Sequence, residues 1–187
     1  NKRGVENVDL VVADGIVGLE DEAHRTFGEK VKFQKCAVHK MRNILTKTRP
    51  KDKSDMAEDL KEIFDNFTDN STVENALKKV NIFIDKWQKK YPRIDRFFKE
   101  GKIEYYFTYI NFNPRVRRMI YTTNSIENIN RIVRKATKNK LSFETPDSLL
   151  DYVFMVIKEF EEDNLMKYKV HEYANFNLLT PVRTQLS

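Results

Sequence analysis

The stretch Val8–Gly28, VDLVVADGIVGLEDEAHRTFG, followed by VKFQKCAV at Val31–Val38, decides the fold class. Val8 to Ala13 is a short, nearly continuous run of β-branched and apolar residues, which reads as a buried strand. It ends at Asp14-Gly15, a turn pair. Gly18 to Phe27 reads as a short amphipathic helix stopped by Gly28. Val31 to Val38 places apolar residues at 31, 33, 36 and 38 and reads as a second strand. Strand, helix, strand predicts a parallel βαβ unit with a right-handed crossover.

Past His39 the pattern turns helical. Helices are predicted over Met41–Thr48, Lys53–Phe67 and Thr72–Tyr91, the last with Val73, Leu77, Val80, Ile84 and Trp87 at helical spacing. Pro50 and Pro92 punctuate, and Arg93–Lys99 adds a turn or two. Phe107–Pro114 is aromatic and reads as irregular. Two further helices are predicted, Asn124–Lys140 and Leu149–Glu162, the second opened by Thr145, Pro146 and Asp147. The last dozen or so residues read as loosely structured. The fold class is therefore α/β and predominantly helical, with about two strands. Two parallel strands are not an independently stable sheet, so further strands are expected from upstream sequence or from another chain.

Composition bounds the function. The 187 residues are 40% hydrophobic and 33% charged, as suits a soluble globular domain. No apolar run approaches the roughly 20 residues that cross a bilayer. The first residues read as mid-domain sequence without a signal peptide, so the natural start is expected upstream. One cysteine, Cys36, excludes an intrachain disulfide and fits a reducing compartment. The net charge of +6 favours a polyanionic partner only weakly. Its distribution says more. Arg115, Arg117, Arg118, Arg131, Arg134, Lys135, Lys138 and Lys140 crowd residues 115–140, where Glu127 is the one acid. A local basic stripe is a footprint for DNA.

Four features carry candidate chemistry. Asp14 ends a strand and so projects from the carboxyl edge of a sheet, where α/β active sites gather; Asp-Gly is also an ordinary turn. Cys36 and His39 form C-x-x-H, but His24 and His171 have no cysteine near them, which argues against structural zinc. Trp87, the one tryptophan, reads either as core or as a base-stacking wedge. In YTTNSIENINRIVRK (Tyr121–Lys135), Asn124 and Glu127 have the spacing of a capping box. Glu127, Arg131, Arg134 and Lys138 share one helix face. That face is either solvated surface or a phosphate track leading to a metal-binding carboxylate.

Together, VVADGIVGL, KCAVHKMRN, the W-x-x-x-Y-P ending at Trp87, Tyr91 and Pro92, and RRMIYTTNSIENINRIVRK resemble the mutator-type transposases of bacterial insertion sequences. The resemblance runs from about Val8 to Glu162. It implies an RNase H-like core with a DDE triad and an all-helical insertion. The core would hold residues 1–40, the insertion 41–121, and the core helices bearing the glutamate 122–165, with a tail over 166–187. It implies that Asp14 and Glu127 are catalytic and hold Mg²⁺ or Mn²⁺, two ions in the complete domain. Cys36, His39 and Asn124 would organise the site. Asn124, Asn128, Asn130 and Arg131, in the glutamate box, would orient the helix or contact DNA; the basic stripe and the wedge reading add Arg117, Arg118, Arg134, Lys135, Lys138 and Trp87 as DNA contacts. The implied partners are transposon ends, target DNA and further copies of the chain, in a bacterial cytoplasm at the nucleoid, with no membrane. The family's first aspartate lies upstream of the second. Asp9 cannot replace it, because five residues from Asp14 on a strand it faces the other way. These residues are therefore expected to be inactive alone. The alternative is a DNA-binding module without catalysis, which would compete for transposon ends or with the full-length transposase.

Overall fold

The computed structural model describes residues 8–99, 102–140 and 142–168, and the expected loose tail lies largely outside them. Two parallel strands, β1 (Leu10–Ala13) and β2 (Lys32–Lys35), pair in the register Leu10↔Lys32 to Ala13↔Lys35. Helix α1 (Leu19–Phe27) crosses between them. Gly28, at φ 90°, stops α1 as expected, its N–H donating to the His24 carbonyl at 2.8 Å. The βαβ unit is thus present, but β1 is only half-buried along its length, not the buried strand its apolar run suggests. Among the described residues β2 is its one neighbour in the sheet.

The second strand stops earlier than its alternation predicts. Cys36 ends it by capping the next helix, α2 (Ala37–Thr46), its sulfur accepting the His39 N–H at 3.4 Å. Ala37 and Val38, expected in the strand, open the helix instead. Beyond lie α3 (Lys53–Phe64), α4 (Val73–Trp87) and α5 (Arg96–Lys99). Thr72 caps α4 by accepting the Asn75 N–H at 3.2 Å. The aromatic stretch resolves into 3₁₀ turns at Ile103–Tyr106 and Thr108–Asn111. Helix α6 (Pro114–Ile120) is unanticipated in the sequence; Asn113 caps it and Pro114 occupies its first turn.

One compact unit runs through Thr123. Its core is helical and aromatic: Met56, Leu60, Phe64, Val80, Phe83 and Trp87 interlock beneath Phe107 and Tyr109. The 3₁₀ turns cover the free side of β2. Gln34, fully buried, donates to the Tyr106 carbonyl at 3.1 Å and accepts the Tyr109 N–H at 2.7 Å. Thr108 donates to the Phe33 carbonyl at 2.7 Å. The sheet and the helices of residues 41–121 therefore share one interior.

A second unit begins at Asn124 and pairs α7 (Asn124–Asn139) with α8 (Pro146–Tyr168). Thr145 and Ser148 cap α8 reciprocally, each hydroxyl accepting the other's N–H at 3.1 and 3.3 Å. Phe143 and Tyr152 pack as a tilted pair, ring centroids 5.6 Å apart, beneath the Lys140 ammonium. Ile129, Val133 and Ala136 of the predicted apolar face are half-buried, whereas Ile126 is exposed. Among the described residues no helix is long and apolar enough to cross a membrane.

Candidate active site

Parallel pairing brings the first two motifs together. Because Ala13 pairs with Lys35, the next residues, Asp14 and Cys36, emerge side by side at the carboxyl edge of the sheet. The Cys36 N–H donates to the Ala13 carbonyl at 2.8 Å. His39 lies one turn into α2. Its Nδ1 is 3.0 Å from Asp14 Oδ1 and 3.2 Å from Cys36 Sγ.

A third motif arrives from far along the chain. The Ala37 N–H donates to the Tyr121 carbonyl at 2.9 Å, which seats the start of YTTN against α2. Thr122 and Thr123 are buried there. The Thr123 hydroxyl donates to Asp14 Oδ1 at 3.1 Å and lies 3.3 Å from His39 Nδ1. The Thr123 N–H donates to Cys36 Sγ at 3.3 Å, and the Cys36 thiol reaches the Thr122 hydroxyl at 3.6 Å. D-G, C-x-x-H and T-T thus form one polar cluster. Thr122 and Thr123 were not singled out from sequence. The available signal was a pair of short hydroxyls just before a helix start, a place where such groups cap backbone.

Burial pushes the Cys36 thiol up, but bonds from Thr123, from the His39 and Thr123 N–H groups and from Thr122 outweigh it and leave the thiol below its ordinary value. Cys36 is wholly buried and its sulfur is already engaged by two N–H donors. Asp14, Cys36 and His39 present donor atoms within 4.8 Å of one another. They are unequal as ligands. A hard divalent cation takes oxygen, which suits Asp14 and not a sulfur occupied by amides. Both bonds to Asp14 fall on Oδ1, and Oδ2 carries none among the described residues. Asp14 lines a cavity of about 500 Å³ that also receives Glu20, Lys35, His39 and Arg42. Lys35 is bound to Glu20 at 2.5 Å.

Gly15 is required by close approach. A Cβ there would lie 2.8 Å from the Tyr106 hydroxyl, whose ring is buried beneath Lys40. Gly18 has the other reason for glycine, a φ of 85°.

The remaining predicted residues divide. Glu127 sits half-buried in the first turn of α7, which Asn124 opens. Arg131, Arg134, Lys135 and Lys138 are exposed along α7, as is Asn130. Asn128 accepts from Arg131 at 2.8 Å. In the first unit, Arg118 is exposed over the Phe67 ring at 4.8 Å. Two expectations are overturned. Arg117 is 2% exposed and donates to the carbonyls of Phe112, Asn66 and Thr68, so it cannot lie on a DNA track. Trp87 is 3% exposed, with its indole N–H on Asp59 at 2.7 Å, and has no face to offer a base.

The chain matches the family model described as "Transposase, Mutator family" over residues 1–167. It is 32% identical over 151 residues to the transposase for insertion sequence element IS1201 of Lactobacillus helveticus, covering 81% of this chain and 39% of that protein. It is 33% identical over 177 residues to the transposase for IS406 of Burkholderia multivorans, covering 94% and 43%. To the transposase for IS256 in transposon Tn4001 of Staphylococcus aureus it is 28% identical, again covering 94% and 43%. The chain spans about two-fifths of the length of the curated relatives it matches.

Proposed function

We propose a role in DNA strand cleavage and transfer: the chain belongs to the Mutator family of transposases, and Asp14 and Glu127 are read as two of its catalytic carboxylates. In this reading the βαβ unit is part of an RNase H-like core and residues 41–121 form an insertion in it. The observation that carries the proposal is the convergence of three separated motifs on the Asp14 carboxylate. A side chain that only closed a turn would not need His39 at 3.0 Å and Thr123 at 3.1 Å on one oxygen.

The chemistry of these residues follows from their placement. His39, donating through Nδ1, and the Thr123 hydroxyl fix the plane of the Asp14 carboxylate and leave Oδ2 as its outward ligand atom. Cys36 holds His39 and Thr123 in turn, so it positions without binding metal. Glu127 supplies a second carboxylate from the first turn of α7, where the helix dipole favours an anion. Asp14 and Glu127 would hold Mg²⁺ or Mn²⁺, which in phosphoryl transfer activates the attacking oxygen and stabilises the leaving one. The exposed cations of α7 would bind DNA phosphates. The partners in this reading are transposon ends, target DNA and further copies of the chain.

The test is metal-dependent nicking of a transposon-end duplex by the whole protein, beside its Asp14→Asn and Glu127→Gln variants. Loss of cutting with retained DNA binding in both variants supports the assignment. Cutting at the wild-type rate by either variant removes that carboxylate from the reaction.

A further inference from the structure

The helical part of the first unit carries a second concavity, of about 680 Å³, away from Asp14. Its floor is apolar, with Ile44 and Ile94 buried and Phe97 half-buried. Its rim is cationic. Lys47 and Arg49 stand on the chain after α2, and Lys90, Arg93 and Arg96 on the chain after α4. Among the described residues no acid lines it, whereas the Asp14 cavity contains both Asp14 and Glu20.

Lys90 is committed to Asp52 at 3.0 Å. Lys47, Arg49, Arg93 and Arg96 are exposed, and among the described residues none of them is in an ion pair. Asp95 lies between the two arginines in sequence but is bound by Lys99 at 2.6 Å. The rim is also held in place. The Tyr91 hydroxyl donates to Asp52 Oδ2 at 2.8 Å and accepts the Arg49 N–H at 3.1 Å. Asp52 is itself 5% exposed. One buried carboxylate and one tyrosine therefore clip the Lys47–Arg49 segment to the end of α4. Four like charges around one hollow repel one another unless an anion enters. A site built this way selects a polyanion.

We propose that this groove is a DNA-backbone track on the helical body, and that its ligand is the phosphodiester chain of duplex DNA. The choice of DNA over other polyanions rests on the transposase reading. Each phosphate neutralised releases condensed counterions, so each engaged cation steepens the fall of affinity with salt.

The experiment measures binding of the full 187-residue chain to a short random-sequence duplex by fluorescence anisotropy across a salt series. Arg49→Gln/Arg93→Gln/Arg96→Gln should lower the slope of log affinity against log salt by about 0.9 per cation, about 2.7 in all. Lys30→Gln/Lys61→Gln/Lys78→Gln removes the same charge elsewhere and should leave the slope near wild type. Arg49→Lys/Arg93→Lys/Arg96→Lys keeps the charge and should keep the slope, which guards against a folding defect in the glutamine variant. Circular dichroism and the thermal midpoint check each protein. An unchanged slope in the groove variant, an equal fall in the control, or no duplex binding by the wild-type chain overturns the groove. None of these bears on nicking by Asp14 and Glu127. Conversely, a lost slope together with wild-type nicking by Asp14→Asn and Glu127→Gln keeps the groove and removes the catalytic reading.

Discussion

Gly15→Ala tests whether the turn that aims Asp14 is set by packing. Gly15 does not need a left-handed backbone, so alanine is conformationally allowed there. The conflict is steric: the new Cβ would stand 2.8 Å from the Tyr106 hydroxyl oxygen. Tyr106 is 7% exposed, its ring lies under the Lys40 ammonium at 5.0 Å, and its carbonyl is tied to Gln34. The ring has little room to retreat, so the clash should cost about 1–3 kcal/mol, the usual range for overpacking. The next atom Cβ would meet is Tyr106 Cζ at 3.9 Å, an ordinary contact. Removing the hydroxyl should therefore remove the conflict. Equilibrium urea unfolding of wild type, Gly15→Ala, Tyr106→Phe and the double variant closes a cycle. The double variant should be more stable than the sum of the single losses by most of the Gly15→Ala cost. In the whole protein, Gly15→Ala should also slow nicking, because a shift of the turn moves Asp14 from His39. A Gly15→Ala protein as stable as wild type, or a cost that persists at full size in the Tyr106→Phe background, refutes the steric account.

Arg117→Met should destabilise the chain by about 3 kcal/mol or more, because the buried Phe112 and Asn66 carbonyls, and the Thr68 carbonyl beside them, lose their donor. Its DNA salt slope should stay at the wild-type value, and a slope that falls without a stability loss would return Arg117 to the DNA path. Asp52 is held below the ordinary carboxylate range by its bonds from Lys90 and then Tyr91. A carboxylate depressed on folding adds stability that is fully present above its unfolded pKa and is lost as pH falls through the folded one. Stability should thus decline below about pH 4, and Asp52→Asn should flatten that decline in urea midpoints taken across the acid range. Arg131→Ala/Arg134→Ala should reduce the salt slope of DNA binding by about 1.8, at roughly 0.9 per contact. A slope left intact would show that α7 does not meet the backbone.

The βαβ unit and most helices were legible because they depend on patterns that local sequence carries: a β-branched run, a turn pair, a stop glycine, apolar residues at helical spacing. The misses have local causes too. The alternation through Cys36 and Val38 continues a strand pattern past its real end, and the stop is a sulfur cap, a role for which cysteine has no strong preference. Helix α6 is only 7 residues long and contains Arg115, Arg117 and Arg118, so its periodicity is masked. Arg117 looked like surface for the same reason. The carbonyls that make it a buried residue come from positions 66, 68 and 112, and no window of sequence shows them together.

The site separates residue type from residue role in the same way. Cys36 and His39 stand together beside Asp14, while Trp87 takes the core alternative and not the base-stacking one. Cys36 is a helix cap held by amides, and Trp87 is core. The residue that joins the cluster is Thr123, one of many threonines, whose hydroxyl reaches Asp14 and whose N–H reaches Cys36. Its importance comes from a contact spanning 109 residues, which only the fold creates. This gives the D-G, C-x-x-H and T-T motifs one physical reason to occur in the same chain. Each motif bonds to the other two, and Thr123 is followed directly in sequence by the helix that bears Glu127.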